Sequence, residues 1–261
     1  MLLSVIIPVY NERHTLGIIL TAVAQTLPNV SKEVVIVDDC SNDGTREWLK
    51  TNFPDGRRSG SKVGLDGNGN LVFTQTSGPS NITIHPIYHE CNLGKGGALR
   101  TGMAVVTGDV LVIQDADVEY DPNDWEQMYN LIVVRKVADA VFGSRFYGRP
   151  HRSLYFHHYL ANRLISFLFN LVFNQTLTDI EVCYKMMTST VARSMRLTAN
   201  DFGIEVEMSA EIARQRNLRI YEVGISYFGR TYAEGKKVNW KDGVKALWYV
   251  FKFRLRKWDP S

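Results

Sequence analysis

The chain has 261 residues, of which 45% are hydrophobic and 22% are charged, and its formal net charge is +3. This composition excludes a disordered chain and fits one α/β domain with a full hydrophobic core. Three cysteines without a C-x-x-C spacing argue against a disulfide framework or a zinc site, so a reducing compartment is the default. We expect no signal peptide, because the N-terminus runs directly into a predicted strand.

Short apolar runs alternate with stretches of helical periodicity along the chain. This alternation predicts an α/β fold with a mostly parallel central sheet, in which ligands bind outside the carboxyl ends of the strands. The predicted strands lie near 2–7, 33–38, 82–88, 109–114, 138–143 and 218–226. The predicted helices lie near 12–25, 43–52, 95–106, 122–135, 154–173, 203–216 and 241–257, and 176–187 is predicted as strand and loop.

A segment rich in glycine and serine, at about 55–80, interrupts this alternation. We interpret it as a surface insertion with a small hairpin around Asp66 and Gly67. Its role cannot be read from the sequence, and a tolerated insertion without a role is the simplest interpretation.

Acidic residues follow the fourth predicted strand. Asp115 and Asp117 come after the apolar run 110–113, and Glu119 stands two residues further on. Carboxylates at the carboxyl end of a strand suit Mg²⁺ or Mn²⁺, which prefer oxygen ligands and often share them with substrate phosphates. The alternative is a turn that only solvates a loop and caps the helix beginning near Asp121.

Four motifs occur in order: Pro-Val-Tyr-Asn-Glu at 8–12, Asp-Asp-Cys-Ser-Asn-Asp-Gly-Thr at 38–45, Gly-Lys-Gly at 94–96 and Asp-Ala-Asp at 115–117. Together they resemble the family 2 glycosyltransferases with the GT-A fold, and within them the polyprenyl-phosphate hexosyltransferases, such as dolichyl-phosphate mannose or glucose synthase. The resemblance is strong over 2–145 and moderate over 176–237. It implies a single Rossmann-like GT-A domain at 1–237, followed by a basic, aromatic, amphipathic C-terminal helix or tail at 238–261.

The resemblance implies a nucleotide-sugar donor, UDP-glucose or GDP-mannose, and a metal cofactor, Mg²⁺ or Mn²⁺. The implied metal ligands are Asp115, Asp117 and Glu119. The implied nucleotide-sugar-binding residues are Pro8, Tyr10, Glu12, Asp38, Asp39, Lys95, Asp115 and Lys236.

The resemblance also implies catalytic residues: Asp117 at the metal, Arg145, Asp179 and Arg230. Arg145 ends the fifth predicted strand and would bind the acceptor phosphate, because a guanidinium matches phosphate oxygens. Asp179 would hold sugar hydroxyls, and Arg230 would belong to a mobile loop that closes over the diphosphate. The sequence departs from the family form at 182–184, where Val-Cys-Tyr stands in place of Thr-Gly-Phe.

The expected reaction is an inverting, metal-dependent transfer of a hexose to dolichyl or undecaprenyl phosphate by direct displacement. A lipid monophosphate is already anionic at neutral pH and needs cations more than a general base. No carboxylate stands out as a base, although Asp179 could serve. The alternative is a transferase acting on a sugar hydroxyl in polysaccharide or glycan biosynthesis. The sequence leaves open whether the donor carries UDP or GDP and which hexose is transferred, and it does not indicate an oligomeric state.

The most apolar long stretch, 153–173, carries four polar residues that step by four: His158, Asn162, Ser166 and Asn170. They predict one polar stripe on an amphipathic helix, which either packs on the sheet or lies in a bilayer interface.

The segment 236–257 has eight basic residues and one acidic residue, interleaved with tryptophan and phenylalanine. This pattern suits a membrane surface, whereas a nucleic-acid partner has little else in its favour. We expect a cytoplasmic chain, soluble or peripheral at the cytoplasmic face of a membrane. A membrane-anchored partner protein is one way to hold it there.

Overall fold

The computed structural model describes residues 1–74, 81–148, 150–153, 155–231 and 240–256, with the side chains of 240–242 not described. The chain divides into two compact units, Met1–Glu126 and Gln127–Ser261. The boundary that we predict between a transferase domain and a tail, at 237, lies outside the described residues.

The first unit is an α/β arrangement in which strands and helices largely alternate along the chain. Its elements are β1 (Leu2–Val9), α1 (Leu16–Gln25), β2 (Ser31–Asp38), α2 (Thr45–Asn52), β3 (Arg58–Gly60), β4 (Lys62–Leu65), β5 (Leu71–Thr74), β6 (Ile82–Tyr88), α3 (Gly94–Val105) and β7 (Val110–Ile113).

Parallel pairing dominates the sheet of the first unit. β1 pairs in parallel with both β2 and β7, and β2 pairs in parallel with β6, whereas the short β3 runs antiparallel to β6. β1, β7 and the 34–37 part of β2 are nearly continuous apolar runs, as expected for strands in a sheet that helices cover. Helix α3 approaches β1 closely at Gly102, where a Cβ atom would lie 2.5 Å from Cγ2 of Ile6.

The inserted segment forms the predicted hairpin. Strands β4 and β5 pair antiparallel, and the Asp66 carboxylate accepts hydrogen bonds from backbone amides of the turn. Helix α2 holds the hairpin: Trp48 Nε1 donates to the Gly69 carbonyl at 2.9 Å, and Asn52 Oδ1 accepts from the Leu71 amide at 2.6 Å. The insertion is therefore anchored to the unit by buried polar contacts.

The second unit begins within a helical run that contains α4 (Trp125–Tyr129). Its further elements are β8 (Ala140–Ser144), α5 (Phe156–Phe173), β9 (Lys185–Thr188), α6 (Ser189–Ser194), α7 (Gly203–Ala213), β10 (Ile220–Gly224) and α8 (Trp240–Leu255). Strand β8 pairs in parallel with β10 and antiparallel with β9. Helix α8 packs on α5 and α7. No helix in the described ranges is long and apolar enough to cross a membrane.

Several boundaries differ from those predicted. The helix expected from residue 12 begins at Leu16, because Asn11 has a left-handed backbone and its amide bonds Ser41 Oγ. The helix expected at 122–135 is a 3₁₀ turn, then α4, then a π-helical stretch at Asn130–Val134. The strand expected within 176–187 begins only at Lys185, and α6 was not predicted.

The polar stripe of α5 faces inward, beside the buried apolar side chains of Ile165, Phe169 and Phe173. Ser166 Oγ accepts from the Ile180 amide at 3.3 Å, and the Asn170 side chain exchanges two hydrogen bonds with the Leu177 backbone. Large apolar side chains of α5 are also exposed at six positions: Phe156, Tyr159, Leu160, Leu164, Phe167 and Leu171.

Candidate active site

The first acidic residue after β7 contacts a lysine of the glycine-rich motif. Lys95 Nζ lies 2.7 Å from Asp115 Oδ1, and both side chains remain partly exposed. Asp117 Oδ1 accepts a hydrogen bond from the Glu119 amide at 3.1 Å, so the chain turns here instead of continuing extended. The structure thus brings Lys95 and Asp115 together at the carboxyl end of β7.

Asp39 fixes the loop that presents Lys95. Its carboxylate accepts from the amides of Leu93 and Gly94, both at 2.8 Å, and lies 2.7 Å from Nδ1 of His89. Gly94 has φ +79, a conformation that only glycine adopts without strain. Asp39 is therefore a positioning residue for the start of α3. The sequence assigned it to the donor nucleotide and did not identify His89.

Asp38 is fully buried at the end of β2. Its Oδ2 forms an ion pair with Nε of Arg46 at 2.6 Å, and its Oδ1 accepts from the Ser41 amide. The guanidinium of Arg46 also donates to the His89 carbonyl. These contacts give Asp38 a structural role in this loop, and its predicted contact with the nucleotide stays a prediction.

The loop after β1 is joined to the loop after β2. The Glu12 amide donates to Thr45 Oγ1 at 3.1 Å, and the Glu12 carboxylate accepts from Thr15 Oγ1 at 2.8 Å. Pro8 is half-buried, whereas the Tyr10 ring is 40% exposed. Tyr10 is thus available for stacking on a base.

The acidic turn presents carboxylate oxygens of the kind that divalent cations prefer. Asp115 Oδ1 already holds an ammonium group at 2.7 Å, so this oxygen is placed to accept a cation. Asp115 and Asp117 supply hard carboxylate oxygens, and substrate phosphates complete such sites. Within the described ranges, no group of three or more His, Cys, Asp or Glu residues is arranged to bind a metal. The role of Glu119 as a third ligand stays a prediction.

In the second unit, Arg145 and Asp179 form a buried bidentate pair. Asp179 Oδ2 accepts from Arg145 Nε at 2.6 Å, and Oδ1 accepts from NH2 at 2.7 Å. The Asp179 side chain is fully buried, and the Arg145 guanidinium lies over the rings of Phe146 and Tyr227. Asp179 therefore orients Arg145, whereas the sequence assigned it to sugar hydroxyls.

Glu222, on β10, supports this pair and was not identified from the sequence. Its carboxylate accepts from the Thr178 amide at 2.8 Å, from Thr178 Oγ1 at 2.9 Å and from the Asp179 amide at 3.2 Å. Burial raises the pKa of Glu222. The strand β10 thus fixes the backbone from which the Asp179 side chain projects.

Glu181 is a second acid that sequence reasoning missed. Burial raises its pKa to about 7, and its charge interacts with Arg145, Asp179, Lys185 and Glu205. A carboxyl that titrates near neutral pH can donate or accept a proton there. The sequence shows that Glu181 stands two residues after Asp179, but it does not show that the Glu181 carboxyl is buried.

The acidic pair at the start of α7 has structural partners. Glu205 Oε2 lies 2.6 Å from Nζ of the buried Lys185. Glu207 is fully buried, accepts from the amides of Thr198 and Ala199, and pairs with Arg256 at 2.7 Å. The predicted Arg230 is half-buried at the end of a described range, and Lys236 lies outside the described residues.

Comparisons with known proteins agree with these motifs. A family model described as "Glycosyl transferase family 2" matches residues 4–196. An undecaprenyl-phosphate mannosyltransferase of Micrococcus luteus is 28% identical over 88% of this chain and 85% of its own length. The glycosyltransferase AglJ of Haloferax volcanii is 24% identical over 87% of this chain, which spans 63% of that protein.

Solved structures share the fold. Glucosyl-3-phosphoglycerate synthase of Mycobacterium tuberculosis in complex with UDP aligns with a TM-score of 0.65, covering 97% of this chain and 79% of that chain at 15% identity. The same synthase with Mn²⁺, UDP and phosphoglyceric acid gives a TM-score of 0.63 at 14% identity. The predicted α/β fold of the GT-A type is confirmed.

Proposed function

This chain belongs to glycosyl transferase family 2 and is a glycosyltransferase, and we propose that it transfers a hexose from UDP-glucose or GDP-mannose to a polyprenyl phosphate. The proposed transfer inverts the anomeric carbon, depends on Mg²⁺ or Mn²⁺, and takes place at the cytoplasmic face of a membrane. The observation that carries the donor half is the contact between Lys95 and Asp115 beside Asp117.

Two relatives support the acceptor half. The Micrococcus luteus relative is named an undecaprenyl-phosphate mannosyltransferase. A relative in Yersinia enterocolitica, 25% identical over 67% of this chain and 45% of its own length, is named an undecaprenyl-phosphate 4-deoxy-4-formamido-L-arabinose transferase. The sugars differ and the lipid phosphate is shared, so a polyprenyl phosphate is our proposed acceptor.

Donor binding would use the first unit. Tyr10 would stack on the base, and Lys95 would exchange its contact with Asp115 for the donor phosphates, since an ammonium group binds either anion. The chemistry that Mg²⁺ or Mn²⁺ supplies, when held by Asp115 and Asp117, is neutralisation of the charge that develops on the leaving diphosphate. Asp39 would act indirectly, by holding the turn that carries Lys95.

Acceptor binding would use the second unit. Asp179 accepts hydrogen bonds from both Nε and NH2 of Arg145, so the guanidinium is oriented before a phosphate binds. Arg230 would add a second positive charge. Because a phosphate monoester is an anion at neutral pH, this arrangement supplies what a lipid-phosphate nucleophile requires without a dedicated base.

The test is transfer of radiolabel from a panel of UDP- and GDP-hexoses, with Mg²⁺ or Mn²⁺, to dolichyl or undecaprenyl phosphate. We expect label in the organic phase for one donor, and loss of that label when the metal is chelated. Label that never leaves the aqueous phase, for every donor, would refute the lipid acceptor.

A second candidate function is favoured by one observation. Glu181, with a pKa of about 7, is suited to act as the general base that a sugar hydroxyl acceptor needs. If oligosaccharides accept label and polyprenyl phosphates do not, this second function replaces the first.

A further inference from the structure

Helix α5 has an apolar face that the second unit leaves uncovered. Side chains at 156, 160, 164, 167 and 171 follow helical spacing, and each is at least 48% exposed. The opposite face carries Ser166 and Asn170, whose side chains bond the 177–180 backbone. A surface helix normally turns polar side chains to water. Helix α5 instead has apolar side chains on its buried face, at Ile165, Phe169 and Phe173, and on its exposed face, which indicates that something apolar covers the outer face.

Helix α8 packs on α5 and repeats the pattern. Val244, Trp248, Phe251 and Leu255 follow the same spacing, and their exposures range from 48% to 84%. At the end of α8 lies a groove of about 620 Å³ lined by Trp248, Phe251, Leu255 and neighbouring side chains. Nine large apolar side chains on two adjoining helices exceed the scattered exposure that is normal for a soluble surface.

Among the side chains that the structure describes on these two helices, the exposed charged ones are positive; Asp242 of α8 is not one of the side chains described. Arg163, Lys245, Lys252 and Arg254 are exposed, and α5 contains no acidic residue. Lys252 Nζ lies 4.7 Å from the centroid of the Trp248 ring, a cation–π contact that places a positive charge beside the exposed aromatic surface. Apolar stripes bordered by cations complement an anionic lipid surface.

We propose that the exposed faces of α5 and α8 form one docking surface for an anionic lipid bilayer, with both helices lying in the plane of the interface. The stripe on α5 spans roughly 22 Å at 1.5 Å per residue. Pairing with a second copy through this face would oppose cations to cations, which argues against a dimer. This docking surface would hold the enzyme at the membrane that contains the lipid acceptor, and in this respect it rests on the proposed function.

The test is cosedimentation of the full chain with vesicles of phosphatidylcholine, with and without phosphatidylglycerol, and without polyprenyl phosphate. We expect binding to the anionic vesicles that weakens with salt. Changing Leu164 and Leu171 together to Gln, or Trp248→Gln, should weaken binding at least about tenfold. Val134→Gln, at a position 66% exposed and off both helices, should not change it.

Three results would overturn the inference. The folded wild-type chain could bind neither kind of vesicle, or the double leucine variant could bind vesicles like the wild type. The third result is a wild-type chain that is a dimer without lipid and a double leucine variant that is a monomer, as measured by light scattering. Sugar transfer to a short polyprenyl phosphate in detergent separates the two proposals. Docking without transfer refutes only the proposed function, and transfer without docking refutes only this surface.

Discussion

Two arginine–aspartate pairs in the second unit have the same hydrogen-bond pattern and different burial. In Arg145–Asp179 and in Arg219–Asp139, the aspartate accepts from the arginine backbone amide, Nε and NH2 at 2.6–3.1 Å. The Asp179 side chain is fully buried, whereas that of Asp139 is 24% exposed and its partner is 54% exposed. The exposed pair is therefore a matched control for the buried one.

We predict that Asp179→Asn lowers the free energy of unfolding by about 2–3 kcal/mol. Removing one partner of a buried ion pair costs about 3–5 kcal/mol. The lower value applies because Arg145 keeps some access to water and asparagine keeps one acceptor oxygen. The melting temperature should fall by roughly 4–10 °C. The loss for Asp139→Asn should be much smaller, because water replaces the lost contacts.

Denaturant unfolding of both variants measures the stability difference, and acceptor kinetics measures the positioning role. In Asp179→Asn the KM for polyprenyl phosphate should rise about tenfold or more, while the KM for the nucleotide sugar stays unchanged. Equal destabilisation by the two substitutions would refute the argument from burial. An unchanged KM for the acceptor would refute the argument that Asp179 orients Arg145.

Three further predictions concern other contacts. Asp117→Asn should abolish sugar transfer and leave the melting temperature unchanged. Asp121→Asn, which changes a nearby helix cap, should keep the activity. Unaltered turnover in Asp117→Asn would exclude a metal-binding role for Asp117. Because burial raises the pKa of Glu181 to about 7 in the folded state, the free energy of unfolding should fall by on the order of 2 kcal/mol as pH rises from 5 to 7. Glu181→Gln should remove this loss, as measured by denaturant unfolding at each pH. Asn52→Ala should cost about 1–3 kcal/mol and expose the Leu71 amide to hydrogen exchange, since a buried donor loses its acceptor.

The sequence predicted the strands and the order of the motifs because both are local. Strands β1, β2 and β7 are buried on both faces, so they appear as uninterrupted apolar runs. The hairpin at Asp66 was equally readable, because its turn carries its own hydrogen bonds. Helix ends were less certain, as at Leu16, where contacts with a distant loop decide the start.

The hydrogen-bond and ion-pair partners of the site residues could not be predicted from local sequence. Asp38 and Asp39 look alike in sequence, yet one pairs with Arg46 and the other holds the amides of Leu93 and Gly94. The helical periodicity likewise predicted the polar stripe of α5, but it did not predict which side of the helix faces the protein. That direction depends on the unsatisfied backbone of 177–180, which must find hydrogen-bond partners when buried.

Burial and charge balance together account for the raised pKa of Glu181. Asp179 is paired with Arg145, and Glu205 is paired with Lys185, so both nearby cations are already compensated. A third ionised carboxylate would add uncompensated charge to the described residues of this group, and burial raises the pKa of Glu181 to about 7. A phosphate arriving at Arg145 adds further negative charge, so protonated Glu181 should favour its binding. Acceptor affinity should therefore weaken as pH rises through 7, and Glu181→Gln should abolish this dependence.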